Sequence, residues 1–305
     1  METVKEKNLE PQKNKGEKQG IAKLAMLTAT IIWGSSFIIV KDITDVWPSG
    51  FLLAVRFTIA CLLLAAVFYK RLHLIDKQYL KSGVVIGFML FMAYYTQTIG
   101  ITDTTPGKNA FLTAFYCVLV PFMFWLVDKK RPDIYNILAA FICILGIGLV
   151  SLTQKFTIGF GDSLTLVGAV FYAAHIVCVA KLARDKDPWL ITVLQFGVAA
   201  ILSWVVTIAA EPAPTDFSMG VWGGALYLAV LCTAVALSFQ NFGQKYTHPS
   251  AAAIILSLES VFGVIFSVIF YHEVLTAKIV AGFVLIFVSV LISETKLSFL
   301  PFGKK

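Results

Sequence analysis

Residues 51–68 read FLLAVRFTIACLLLAAVF and residues 251–271 read AAAIILSLESVFGVIFSVIFY. A bilayer core about 30 Å thick takes roughly 20 apolar residues of helix, and each run approaches or meets that length. Each carries one charged residue, Arg56 in the first and Glu259 in the second. Working outward, ten such stretches fill the chain, at about 21–40, 49–69, 82–102, 107–127, 134–152, 163–181, 188–209, 220–242, 249–270 and 276–293. Only short connectors separate them. A mean hydropathy of +0.81 with 14% charged residues leaves too little polar surface for a water-soluble fold. The sequence therefore predicts an all-α, polytopic membrane protein.

Residues 1–20 are expected to form a disordered cytoplasmic tail, and 294–305 a second tail. The first span is too long for a signal-peptide core and lacks a small-residue cleavage site, so it is read as a true helix. Loops on the side of the termini hold 20 Lys and Arg, among them Lys70, Arg71, Lys129, Arg131, Lys181, Arg184 and Lys186. The opposite loops hold 4: Lys41, Lys108, Lys155 and Lys278. The positive-inside rule then places both termini in the cytoplasm, with the plasma membrane as the expected location. The net charge of +7 is accounted for by this topology and needs no nucleic-acid partner.

The two halves repeat, at 21–152 and 163–293. An offset of 143 pairs Ala93 with Ala236, Gln97 with Gln240, Gly100 with Gly243, Pro106 with Pro249 and Tyr116 with Glu259. An offset of 139 pairs Trp33 with Tyr172, Ser36 with His175 and Phe57 with Phe196. Five helices is an odd number, so the second half lies upside down relative to the first. Inverted repeats of this kind allow two halves to exchange conformations around one central site.

Several segments resemble the EamA family of the drug/metabolite transporter superfamily: Trp33-Gly34-Ser35-Ser36-Phe37, Arg56-Phe57, Thr105-Pro106-Gly107-Lys108-Asn109-Ala110-Phe111 and Val120-Pro121. In the second half, Leu258-Glu259-Ser260-Val261-Phe262 followed by Glu273-Val274-Leu275-Thr276 resembles that family's closing pattern, with Ser260 where Pro is usual. The resemblance covers nearly the whole chain. It implies a ten-helix secondary carrier working by alternating access, most often an exporter of amino acids or related metabolites. The runner-up is an exporter of hydrophobic cations. A membrane-embedded enzyme or sensor is the outside alternative: no paired Asp, no Ser-Lys pair and no output domain favours it.

Glu259 lies near the bilayer midplane, where a carboxylate costs several kcal/mol unless paired, hydrated or protonated. It is read as the proton acceptor or the contact for a cationic part of the cargo, against a structural carboxylate. Arg56, the only deep base, is read as neutralising an acidic group of the cargo or pairing with Glu259. Asn109, Thr113 and Tyr116 share a face of helix 4. Lys108 begins that helix, where a lysine snorkelling to the surface is the commoner arrangement. The repeat-paired Trp33 and Tyr172, Ser36 and His175, Tyr116 and Glu259 are expected to line one cavity between helices 1, 4, 6 and 9. A lone intramembrane His is more often an interhelical hydrogen-bonding group, and Gln97 and Gln240 suit gating or packing at opposite membrane faces. Phe68 is expected to face lipid. Cys61, Cys117, Cys143, Cys178 and Cys232 lie on different helices and make no metal-ligand pair. No cofactor or metal is expected; the partners are a small-molecule cargo and the bilayer, with a monomer or homodimer as the assembly.

Overall fold

The computed structural model describes the backbone of residues 3–129, 131–151, 158–247 and 249–296, and their side chains except at 3–18, 128, 241, 244, 245 and 249–254. All regular elements among the described residues are helical. Among the described residues, nine helices are long and apolar enough to span a membrane, and the helix Pro249–Phe270 supplies a tenth.

The spans are helix 1 (Thr3–Thr44), helix 2 (Ser49–Val67), helix 3 (Lys77–Thr102), helix 4 in two pieces (Pro106–Thr113 and Phe115–Asp128) and helix 5 (Ile134–Ser151). The second half gives helix 6 (Phe160–Leu182), helix 7 (Pro188–Ala210), helix 8 (Met219–Tyr227, Leu228–Val235 and Ala236–Tyr246 in succession), helix 9 (Pro249–Phe270) and helix 10 (Ala277–Thr295). Helix 1 begins inside the stretch expected to be a disordered tail. Lys, Glu and Gln, all good helix formers, dominate that stretch and let the backbone continue from the apolar span.

Side chains mark several of the helix starts. Asp76 accepts from the N–H groups of Gln78 and Tyr79 at 2.8 Å, and Asp187 from Trp189 at 2.9 Å. Thr105 and Thr276 cap helices 4 and 10, and Pro106 and Pro188 fill first-turn positions where no N–H is needed. The break in helix 4 falls at Ala114. Just before it the Thr113 hydroxyl takes the Asn109 carbonyl at 2.8 Å, a back-bond that bends helices. Helix 9 runs unbroken through Ser260, whose hydroxyl bonds Ser257 O at 2.8 Å.

The helix pairings reproduce the repeat. Helix 1 packs on helix 8 as helix 6 packs on helix 3. Helix 1 meets helix 9 as helix 6 meets helix 4, and helix 3 meets helix 7 as helix 8 meets helix 2. The pairs 2 with 7, 4 with 9 and 5 with 10 are their own mirrors. Two glycines show the symmetry at atomic scale. A Cβ on Gly100 of helix 3 would lie 2.8 Å from Gly161 O on helix 6, and one on Gly243 of helix 8 would lie 3.0 Å from Ala22 O on helix 1. Gly100 and Gly243 are mates at offset 143, and Ala22 and Gly161 at offset 139. Both crossings need a residue without a side chain.

Among the described residues, loops meet loops of their own parity, as ten alternating crossings require. On the side of the termini, Arg71 pairs with Asp187 at 3.0 Å and Lys296 pairs with Asp133. Burial alone would raise the Asp133 carboxyl, but hydrogen bonds from Lys296 and from the N–H groups of Asn136 and Tyr135 outweigh it and hold it below the ordinary carboxylate range. This strap therefore holds above that range and weakens as pH falls through it. On the opposite side, Glu211 accepts from Gly50 N and Phe51 N at 2.7 and 3.0 Å, and Trp47 Nε1 donates to Asp216 O at 2.6 Å.

Candidate functional site

A cavity lies in the middle of the bundle, and Trp33, Ser36, Arg56, Asn109, Thr113, Tyr116, Tyr172, His175 and Glu259 all line it. The nine residues singled out from the sequence therefore share one space, and the three repeat-related pairs sit together in it. Helices 2 and 3 contribute as well as helices 1, 4, 6 and 9, through Arg56, Leu90, Tyr94 and Gln97.

The charged groups are held apart. Arg56 is 3% exposed and Glu259 8%, and they come from helices 2 and 9. Arg56 Nε donates to Thr233 Oγ1 on helix 8, and its guanidinium lies 4.8 Å from the centre of the Tyr94 ring. Among the described residues no carboxylate pairs with it, so of the two readings of Arg56 the pair with Glu259 is not formed here. Glu259 instead lines the same cavity as Tyr116, its mate in the repeat. An arc of three tyrosines connects the two charges. Tyr94 meets Tyr172 with ring centres 5.4 Å apart, and Tyr172 meets Tyr116 at 6.1 Å.

Other side chains fix this wall. Trp33 Nε1 donates to Cys232 O at 2.7 Å, which ties the polar tip of the indole to helix 8. Ser36 donates to Trp33 O at 2.7 Å and keeps its oxygen available as an acceptor. His175 Nε2 and Gln195 Oε1 are 2.9 Å apart, the interhelical bond expected of a lone buried His. Thr113 is fully engaged, since it donates to Asn109 O and accepts from Gln97 Nε2 at 2.8 Å. Asn109 donates to Thr165 Oγ1 at 2.7 Å, while its buried Oδ1 has no partner.

Four residues were passed over or misjudged from the sequence. Gln97 and Gln240 lie toward opposite ends of their helices, as read, yet both line the cavity; Gln97 also accepts from Tyr172 at 2.8 Å. A long amide reaches inward from either depth, and their pairing in the repeat was the available signal. Tyr94 was not among the residues singled out, although it bridges Arg56 and Tyr172. Phe68 is not lipid-facing: it stacks on Trp189 with ring centres 5.0 Å apart.

The cavity has a wide exit toward the side of the termini. A second, larger cavity shares Tyr116, His175 and Gln240 with the first and extends to Phe124, Ala183, Pro188 and Glu294. Those four residues lie at the terminal-side ends of helices 4, 6, 7 and 10. The opposite exit is closed by polar contacts. Lys108 Nζ is 2.7 Å from Asp162 Oδ2, so this lysine is paired rather than snorkelling. Thr104 donates to Asp162 Oδ1 at 2.5 Å, and Gly161 N donates to Asp103 at 3.0 Å. Glu273 accepts from Thr105, from Gly107 N at 3.0 Å and from Ser267.

Two inverted five-helix halves around a central polar cavity, open to one side, form the architecture of a membrane transporter. The chain belongs to the EamA-like transporter family, which it matches over residues 20–152 and again over 159–295. It is 34% identical to an uncharacterized transporter of Archaeoglobus fulgidus over 91% of this chain and 87% of that protein. The uncharacterized transporter YvbV of Bacillus subtilis is 24% identical, with 90% and 92% covered. A crystal structure superposes with a TM-score of 0.68 over 92% of this chain and 98% of the other, at 16% identity, which establishes likeness of fold alone.

Proposed function

We propose that the protein is a secondary active carrier that exports a small zwitterionic metabolite, an amino acid or a close relative, by alternating access and with proton coupling through Glu259. One observation carries this reading: Arg56 and Glu259 are buried on separate walls of one cavity and neither neutralises the other. A ligand with a carboxylate and an ammonium group would answer both charges at once, with the Trp33 and Tyr172 faces gripping its apolar part. The basic loops support a cytoplasmic position for the termini in the plasma membrane, and the wide exit on that side suits loading from the cytoplasm. Glu294 in an otherwise largely apolar vestibule favours the second reading, an exporter of hydrophobic cations.

Trp33→Ala is expected to weaken cargo affinity by about 1–3 kcal/mol if the ring packs on the ligand. Phe141→Ala, at a position 63% exposed to lipid, should leave affinity unchanged. The measurement is saturable, trans-stimulated uptake in proteoliposomes. Equal affinities in the two variants would contradict this site.

A further inference from the structure

Helix 8 carries a π-turn at Leu228–Val235, where its repeat mate in helix 3 is regular α-helix. A π-turn widens the backbone by one residue, and such turns recur at functional sites. Here Ala236 N, which in an α-helix would bond Cys232 O, bonds Leu231 O and Thr233 O. The Cys232 carbonyl is released from that bond and accepts the Trp33 indole at 2.7 Å. One residue on, the fully buried Thr233 donates its only hydroxyl hydrogen to Leu228 O at 2.8 Å, five residues back. The hydroxyl lone pairs are left for Arg56 Nε. Two adjacent residues of one irregular turn thus hold the cation and the tryptophan of the cavity.

We infer that Thr233 is a positioning residue: the chain Arg56–Thr233–Leu228 keeps the π-turn open, and the open turn in turn orients Trp33 through Cys232 O. The device explains why Arg56 needs no carboxylate. Its Nε is fixed by a neutral acceptor, while the charge and the remaining N–H donors stay available to an anionic group in the cavity. It also couples the two walls. Loss of the Thr233 hydroxyl lets the helix revert toward regular bonding, which takes Cys232 O back from the indole. Only the value of this arrangement for transport rests on the reading of the cavity as the cargo site.

The test uses the full chain in proteoliposomes with Trp33 as the sole tryptophan, Trp47, Trp125, Trp189, Trp204 and Trp222 being replaced by Phe. Thr233→Val keeps the volume and removes the hydroxyl; Thr233→Ser keeps the hydroxyl. Trp33 emission should shift and acrylamide quenching should rise at least about twofold in Thr233→Val, as for an indole that has lost a buried partner. Thr233→Ser should match the parent. Uptake of leucine, as the zwitterionic probe, should show a KM about tenfold higher in Thr233→Val with Vmax retained, the scale of a lost charge-assisted hydrogen bond. An unchanged Trp33 signal in Thr233→Val overturns the inference, as does failure of the Ser variant to restore the parent signal in a folded protein. If the Trp33 signal responds while Arg56→Gln and Thr233→Val both leave leucine uptake at the parental level, the positioning role stands and the cargo reading fails.

Discussion

Glu259→Gln is expected to abolish accumulation driven by a pH gradient while cargo-for-cargo exchange continues. Glu259 is 8% exposed, lies midway along helix 9, and has no cationic partner among the described residues. A bare carboxylate at that depth is costly, so its charge must be met by a proton or by a cationic part of the cargo as the cavity changes sides. Gln keeps the shape but takes up no proton. With one proton per cycle, each unit of pH difference is worth about 1.4 kcal/mol, a limiting accumulation of about tenfold. The variant should stop at equal concentrations across the membrane. Exchange needs no net proton movement and should persist. Parental accumulation by the Gln variant under an imposed pH gradient would remove Glu259 from the coupling.

Lys108→Ala should shift the carrier toward its outward-open state. Asp162 is 2% exposed and faces Lys108 at 2.7 Å, so removing the lysine strands a buried carboxylate only while that side is closed. Loss of one partner from a fully buried pair costs about 3–5 kcal/mol; since the Lys108 side chain is 22% exposed, we expect about 1–3 kcal/mol, a shift of roughly 5- to 150-fold in the two-state equilibrium. The repeat explains the direction. The mates of Lys108 and Asp162 are Ala251 and Lys23, which cannot form an ion pair, so this pair has no repeat counterpart on the other side. Asp162→Asn in the Lys108→Ala background should recover part of the shift, because the stranded charge is gone. Labelling of a cavity cysteine from the outer side measures the population; no increase in Lys108→Ala would show that the pair is not part of the closure.

The bundle was legible because burial in lipid leaves so few choices. A charged loop or a missed span would have disturbed the parity of the Lys and Arg counts, and offsets of 139 and 143 aligned both Gly100 with Gly243 and Trp33 with Tyr172. The site was legible as far as the repeat reached: paired positions on inverted halves converge on one axis. Partners were harder to read. Arg56 chose a threonine on helix 8 over Glu259, because bundle geometry, not charge, decides what a long side chain can reach. Lys108 could have extended to solvent, and only the approach of helix 6 to the start of helix 4 makes Asp162 available. The π-turn differs from an α-turn by the register of a few backbone hydrogen bonds, and Leu228–Val235 has no composition that marks it. One trace was present, since the ungapped match between the halves begins at Ala236, the first residue after the turn.

The central claim is that one cavity opens to the two sides of the membrane in alternation. It is tested most directly by Ser36→Cys in a cysteine-free background, with an impermeant thiol reagent applied from each side. Cysteines at Lys77 and Lys186 serve as cytoplasmic references, and cysteines at Asp45 and Thr215 as external ones. Ser36→Cys should react from the cytoplasmic side in the resting protein, become reactive from the outside when Lys108 is replaced by Ala, and lose cytoplasmic reactivity to the same degree. Equal reactivity from both sides at once would describe a channel, and reactivity from neither would mean that Ser36 does not line a transport cavity.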